Sequence, residues 1–208
     1  GPDGRKTWGE LRGAAELAAD QQYVYTVPGH REPAVLNRFS ATDGTYRPFV
    51  MDEEEREFDL QIDTIFGKKA SGEPTDLAAD GGRIAVALRE SDGMGRIGLL
   101  DAGSAALLRS FEVPSPTGVA LREIRGTLHL YAILNGQIHR LDLESGDTSA
   151  VKTPGLDSPS AIAIDADGNI VVADIGPDSQ VKAYAPNGKL AYTCGKKGGR
   201  PIRGEFNT

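Results

Sequence analysis

One short stretch of this chain occurs four times, and a recurrence of that kind restricts the fold to units that stack on copies of themselves. Residues 15–27 read AELAADQQYVYTV, residues 75–88 read TDLAADGGRIAVAL, and residues 160–173 read SAIAIDADGNIVVA. Residues 117–132, TGVALREIRGTLHLYA, fit the same frame with Arg122 where the others carry Asp20, Asp80 and Asp165. These frame positions are separated by 60, 42 and 43 residues, so the first unit contains an insertion.

Each unit divides into four strand-like runs, most clearly in the last, where AIAID, NIVVAD, QVKAYA and KLAYTC follow one another. Asp167-Gly168 and Asn187-Gly188 separate strands there, and Asn135-Gly136 stands directly between LHLYAIL and QIHRLDL. Asn-Gly between apolar runs is the strongest short-range hairpin signal, so the strands are predicted to be sequential and antiparallel. Residues 161–164 and 170–173 are apolar throughout, the pattern of strands covered on both faces. Val181, Ala183 and Ala185 alternate with Lys182 and Tyr184, and Leu190, Tyr192 and Cys194 alternate with Ala191 and Thr193, the pattern of outer strands with one face in water. Repeated four-stranded units with buried inner and wetter outer strands are what an all-β propeller requires. A two-sheet sandwich would explain the alternation but not the recurrence.

The segment SPSAIAIDADGNIVVADIGPDSQVKAYAPNGKLAYTCG resembles an NHL repeat, with its Pro and small-apolar strand, Asp-x-x-Gly-Asn, Val-Ala-Asp and closing Gly. The likeness is strong over residues 157–195, partial over 73–114 and 115–153, and weak over 13–67, where the Val-Ala-Asp end is missing and an insertion falls near 51–58. It implies a β-propeller of NHL type, commonly six-bladed, with about four four-stranded blades visible here. Residues 2–9 read as the outer strand of a preceding blade and 196–208 as the start of a following one. Six blades would need about 250 residues. The expectation is therefore an internal segment of a longer protein, whose end blades need the remaining blades, a partner or another copy. Gly1-Pro2 matches a protease-cleavage scar, and a closed four-bladed ring is the alternative.

Composition removes some functions. The 23 Lys and Arg against 30 Asp and Glu give a net charge of −7, and the pI near 5.0 argues against a dedicated nucleic-acid binder. Glycine, 26 of 208 residues, is well above the usual share of about 7% and predicts many turns. The one cysteine, Cys194, can form no disulfide within the chain. No apolar run approaches the roughly 18 residues of a membrane helix, and the N-terminus has no signal-peptide pattern.

Asp20, Asp80 and Asp165 end the first strand of three units, so a propeller sets them around one face together with Arg122. The four are candidates for ligand binding, although Asp before a turn also accepts turn N–H groups. Arg122 suits either pairing with these acids or an anionic ligand. Asp174 reads as a turn residue. The histidines, His30, His129 and His139, do not read as a common metal site: if Asn135-Gly136 is a two-residue turn, Ala132 lies opposite His139 and His129 falls on the other face. There is no Gly-x-Ser-x-Gly elbow, Cys194 occupies the position of a small buried hydrophobe, and GKKGGRP lacks a phosphate loop's Gly-Lys-Ser/Thr ending.

Lys68, Lys69, Lys196 and Lys197 follow the closing Gly of two units and, with Arg200 and Arg203, form a basic region on one face. That is the basis of an RNA-binding alternative. No aromatic platform accompanies it, so solvated loops are the simpler reading. The acidic run from Asp52 to Glu57 reads as a solvated loop within the insertion. With no assembled catalytic set, the sequence points to a non-catalytic binding or scaffolding module for a protein or small ligand, without cofactor. The resemblance adds the alternative of a lyase or lactonase holding a divalent cation in the central channel. It also implies a bacterial extracellular or periplasmic setting.

Overall fold

The computed structural model describes residues 14–28, 34–51, 57–58, 60–66 and 72–198. Four four-stranded antiparallel sheets follow one another along the chain. Blade 1 consists of β1 (Ala14–Ala19), β2 (Tyr23–Pro28), β3 (Val35–Ser40) and β6 (Leu60–Gln61). Blade 2 consists of β7 (Gly72–Asp80), β8 (Arg83–Glu90), β9 (Met94–Asp101) and β10 (Leu107–Pro114). Blade 3 is β11 (Pro116–Ile124), β12 (Thr127–Leu134), β13 (Gln137–Leu141) and β14 (Thr148–Ala150), and blade 4 is β15 (Pro159–Ile164), β16 (Ile170–Asp174), β17 (Gln180–Tyr184) and β18 (Leu190–Cys194). The extra length of the first unit forms a separate ladder of β4 (Val50–Met51) and β5 (Glu57–Phe58), followed by the single turn of α1 (Ile62–Phe66).

Turn chemistry sets the register. Asn135 and Gly136 both have positive φ, 48° and 72°, so Leu134 pairs with Gln137 across a two-residue hairpin. That turn matches the right-handed strand twist. His139 then lies opposite Ala132, and His129 lies opposite Arg122 on the preceding strand.

The innermost strands β1, β7, β11 and β15 lie side by side, with β7 between β1 and β11 and β11 between β7 and β15. Each blade therefore has a face toward the preceding blade, its leading face, and a face toward the following one, its trailing face. Three apolar clusters fill the gaps. Leu77, Ile84, Val86 and Leu88 pack on Ala18, Tyr25 and Leu36 of blade 1, with Ile62 and Phe66 of α1. Ala85, Ala87 and Ile97 meet Val119, Leu121 and Leu130 between blades 2 and 3, and Ala120, Tyr131 and Ile133 meet Ile164, Ile170 and Val172 between blades 3 and 4. Close approach explains one glycine: a Cβ on Gly98 would fall 2.3 Å from the Phe66 ring.

Blade 4 departs from the sequence reading in three ways. Its inner strands β15 and β16 are not covered on both faces: Ala161 and Ala163 are exposed, and Val171 and Ala173 are half-buried. The cause is that among the described residues no sheet lies on the trailing face. Cys194 is exposed as well, along with all of β18, an outermost strand exposed on both of its faces. In β17 the predicted alternation is lost, since Lys182 and Tyr184 are buried along with the expected Ala183.

Buried cations explain two further joints. The Lys182 ammonium donates to Asp174 Oδ2 at 2.6 Å, Asp178 Oδ2 at 3.0 Å and the Gly155 carbonyl, so all its donors are satisfied. Arg38 joins blades 1 and 2 by donating to the carbonyls of Ala102 at 2.6 Å and Gly103 at 2.9 Å. Its guanidinium also lies 4.6 Å from the Tyr23 ring and 4.3 Å from the Phe49 ring. An uncompensated buried cation would cost several kcal/mol, so these partners are what permit burial.

Candidate functional site

Four adjacent inner strands leave a groove along their edges, the part of a propeller that becomes its central channel. The groove has a volume of about 590 Å³ and is lined by Leu17–Gln21, Asp76–Asp80, Val119–Arg122 and Ala161–Ile164. At one end it opens into a hollow of about 680 Å³, bordered by the β1–β2 and β7–β8 turns, Asp101–Gly103, and Arg122 with Glu123. Asp20, Asp80 and Arg122 line both spaces. Asp165 lines neither.

The carboxylates are engaged in different ways. Asp20 Oδ1 accepts the N–H groups of Gln22 at 2.7 Å and Tyr23 at 2.8 Å, and its Oδ2 accepts the Tyr25 hydroxyl at 2.9 Å. Asp165 Oδ1 accepts the N–H groups of Asp167 and Asn169, while Oδ2 accepts the Asn169 side chain and the Tyr192 hydroxyl. Desolvation pushes the Asp165 carboxyl up, but these donors outweigh it and hold the group below its ordinary range. Both residues thus brace their own turns and tie them to a tyrosine hydroxyl of the same blade.

Asp80 does not follow that reading. Its Oδ2 accepts the Glu123 N–H of the next blade at 2.9 Å. Asp76, which the sequence reading passed over, does the same one turn of the pleat deeper: its Oδ2 accepts the Val119 N–H at 2.7 Å, and its Oδ1 accepts the N–H of Leu77. Burial raises the Asp76 carboxyl above its usual range despite those two donors. Glu16, at the same frame position in blade 1, is raised by burial and by the nearby Asp76 charge. A carboxylate inside an otherwise apolar inner strand was the signal that could have marked Asp76 from sequence.

Arg122 forms no ion pair with these acids among the described residues. Its Nη1 donates to the Ile164 carbonyl of blade 4 at 3.3 Å, its one hydrogen bond among the described residues. A guanidinium has five N–H donors, so a single long bond leaves most of its capacity facing the groove.

The histidines occupy separate places. Burial and the Arg140 charge depress His129, and burial alone depresses His139, which disfavours the charged form of both. No three His, Cys, Asp or Glu side chains among the described residues converge closely enough to hold a metal ion. Asp174 does more than cap a turn: it accepts the N–H groups of Asp157, Ser158 and Gly176 as well as the Lys182 ammonium. Lys196 and Lys197 are exposed, with Lys197 3.1 Å from Asp178 Oδ1. Lys68, Lys69, Arg200, Arg203 and His30 lie outside the described residues, as do residues 2–9 and most of the acidic run. No helix among the described residues is long and apolar enough to cross a membrane.

This architecture is that of a β-propeller, and the solved structures it resembles agree. A protein of unknown function from Bacteroides thetaiotaomicron VPI-5482 aligns over 92% of this chain and 46% of its own, with a TM-score of 0.61 and 15% identity. A streptogramin B lyase aligns over 88% and 54%, with a TM-score of 0.58 and 13% identity. A gluconolactonase from Xanthomonas campestris aligns over 81% and 57%, with a TM-score of 0.54 and 15% identity. The chain thus spans about half the length of these structures. At such identities the likeness is one of fold. No family model matches the chain, and no curated protein matches its sequence.

Proposed function

We propose that this chain is of NHL propeller type and binds a small ligand carrying a carboxylate or phosphate group, held in the inner-strand groove by Arg122. The observation that carries the reading is the Arg122 guanidinium, which lines both the groove and its mouth with one backbone carbonyl as partner. A planar fork of this kind suits bidentate oxyanions. The surrounding acids support selectivity rather than attraction, because Asp20 and Asp80 at the mouth disfavour ligands with a large negative charge. The binding role is non-catalytic: each of Asp20, Asp76, Asp80 and Asp165 already accepts at least one N–H that holds a turn or joins two blades.

The test is a thermal-shift panel of inorganic phosphate, gluconate, glutamate and citrate, run on the wild-type chain and on Arg122→Gln. A ligand at a hundred times its Kd adds about 2.7 kcal/mol of stability. Saturable stabilisation by one of these anions that disappears in the variant is the expected result. Equal stabilisation of both proteins, or a shift produced by divalent cations instead, would refute the assignment and return the lyase or lactonase reading.

A further inference from the structure

The inner edge of β11 faces the channel, and the bonding along it follows from the hairpin at its end. Arg125 and Gly126 both have positive φ, 51° and 78°, so Ile124 pairs with Thr127 across a two-residue turn. Residues that directly flank such a turn bond to each other, and the direction of the backbone N–H and C=O groups then alternates along the strand. Ala120, Arg122 and Ile124 therefore bond to β12, while Val119, Leu121 and Glu123 turn their N–H groups to the channel. Two of those three already hold a carboxylate: Val119 donates to Asp76 Oδ2 at 2.7 Å and Glu123 to Asp80 Oδ2 at 2.9 Å. Leu121, between them, has no acceptor for its N–H among the described residues.

The neighbouring inner strand brings a cation to the same level. The Ile164 carbonyl of β15 faces the channel and accepts Arg122 Nη1 at 3.3 Å. Leu121 and Ile164 each stand one residue before their frame positions, on inner strands that lie side by side. The guanidinium is thus held at the level of the vacant N–H, and Leu121 and Arg122 both line the groove. This edge belongs to the channel and not to a seam between blades.

We propose that the acidic group bound at Arg122 is a monocarboxylate, with one oxygen on the guanidinium and the other on the Leu121 N–H. The inference rests on the reading of Arg122 as the anchor and adds a second donor and the chemical class of the ligand. An N–H edge that already takes two carboxylates suits a third of the same shape. Charge sets the limit, because the Asp76 and Asp80 carboxylates are bound two residues to either side, about 7 Å along the strand. Arg122 offsets a single negative charge, whereas a phosphate dianion or a tricarboxylate adds repulsion from both acids.

Backbone amide NMR on the full chain tests this, with acetate as the probe carboxylate and inorganic phosphate at the same ionic strength as the comparison. Without anion, the Leu121 amide is expected to exchange with solvent faster than those of Val119 and Glu123. Acetate is expected to slow that exchange and to shift the Leu121 resonance in the wild type but not in Arg122→Gln, and phosphate to do neither. Leu121→Pro removes the N–H without taking a bond from the ladder, and Leu121→Ala is its control, since both shorten the same buried side chain. Loss of a hydrogen bond to a charged group should weaken acetate about tenfold or more in Leu121→Pro relative to Leu121→Ala, with far-UV circular dichroism checking that both fold. Acetate binding that depends on Arg122 but leaves the Leu121 amide unaffected, or a phosphate effect equal to that of acetate, overturns the proposal and leaves the Arg122 reading standing. A wild type on which acetate has no effect also overturns it, and if no anion of the thermal-shift panel acts either, the Arg122 reading falls with it.

Discussion

The second strands of blades 2 and 4 can be laid on one another, IAVAL at residues 84–88 and IVVAD at 170–174, yet their surroundings differ. On the leading side they agree: Ile84 and Val86 in one blade, and Ile170 and Val172 in the other, are fully buried. On the trailing side Ala85 and Ala87 are sealed under blade 3, whereas Val171 and Ala173 are half-buried. At the end of the strand blade 2 buries Leu88, while blade 4 buries Asp174 against Lys182. An apolar run therefore specifies a strand fit for covering. What covers it is decided by the neighbouring sheet, and blade 4 draws part of its cohesion from a charged clamp.

Breaking that clamp should have the largest effect. Lys182→Met leaves the buried Asp174 carboxylate without its cation and is expected to cost about 3–5 kcal/mol in chemical denaturation. The pH dependence sharpens the point. Burial pushes Asp174 up, but Lys182 and three backbone N–H groups outweigh burial and hold it below its ordinary range. A depressed carboxyl contributes stability above its unfolded pKa, near 3.9, and loses it as pH falls through the lower folded value. Lys182 is lowered by burial, yet its contacts with Asp174 and Asp178 dominate and raise it. Its contribution is complete below the ordinary lysine value, about 10.4, and is lost only as pH rises through the folded value. In Lys182→Met the acid limb should shrink, because the folded pKa of Asp174 moves up toward its unfolded value and less stability is lost on acidification, which stability curves recorded between neutral pH and about pH 3 would detect.

The covered and open trailing faces can be compared at matched positions. Ala87→Leu forces three extra carbon atoms into the blade 2–blade 3 seam and should destabilise by about 1–3 kcal/mol. Ala173→Leu places the same atoms on the open face and should change stability by no more than about 0.5 kcal/mol. A smaller contrast separates the frame acids. Asp80→Ala removes a bond between blades and Asp165→Ala a bond set within blade 4, with each bond worth about 1 kcal/mol. Hydrogen exchange should show the first loosening Glu123 and the second only residues 167–169.

Much of the propeller was legible because its signals are local. The Asn135-Gly136 turn, the apolar runs and the recurring frame each act through neighbouring residues, and the four antiparallel sheets follow from them. The mouth of the groove was partly legible, since Asp20, Asp80 and Arg122 were marked by their shared frame position. The partners of those residues were not, because Asp80 to Glu123 and Arg122 to Ile164 are contacts one repeat apart. Arg38 and Lys182 were hidden for a related reason. A charge on an alternating strand reads as exposed unless the partners that permit its burial, here carbonyls of another blade and two aspartates, are seen in space. Cys194 was misread because alternation predicts one buried face, whereas β18 is the outermost strand of its sheet and is exposed on both.

The central claim is that, among the described residues, no sheet covers the trailing face of blade 4, although its second strand matches the covered strand of blade 2, and the single thiol lies where that can be read. Cys194 lies on that face, opposite Val181 in the ladder. The measurement is the alkylation rate of Cys194 in native buffer, at a dilution where the chain is monomeric, against the rate in denaturant. The account expects complete modification at nearly the denatured rate; a thiol protected until the chain unfolds would contradict it.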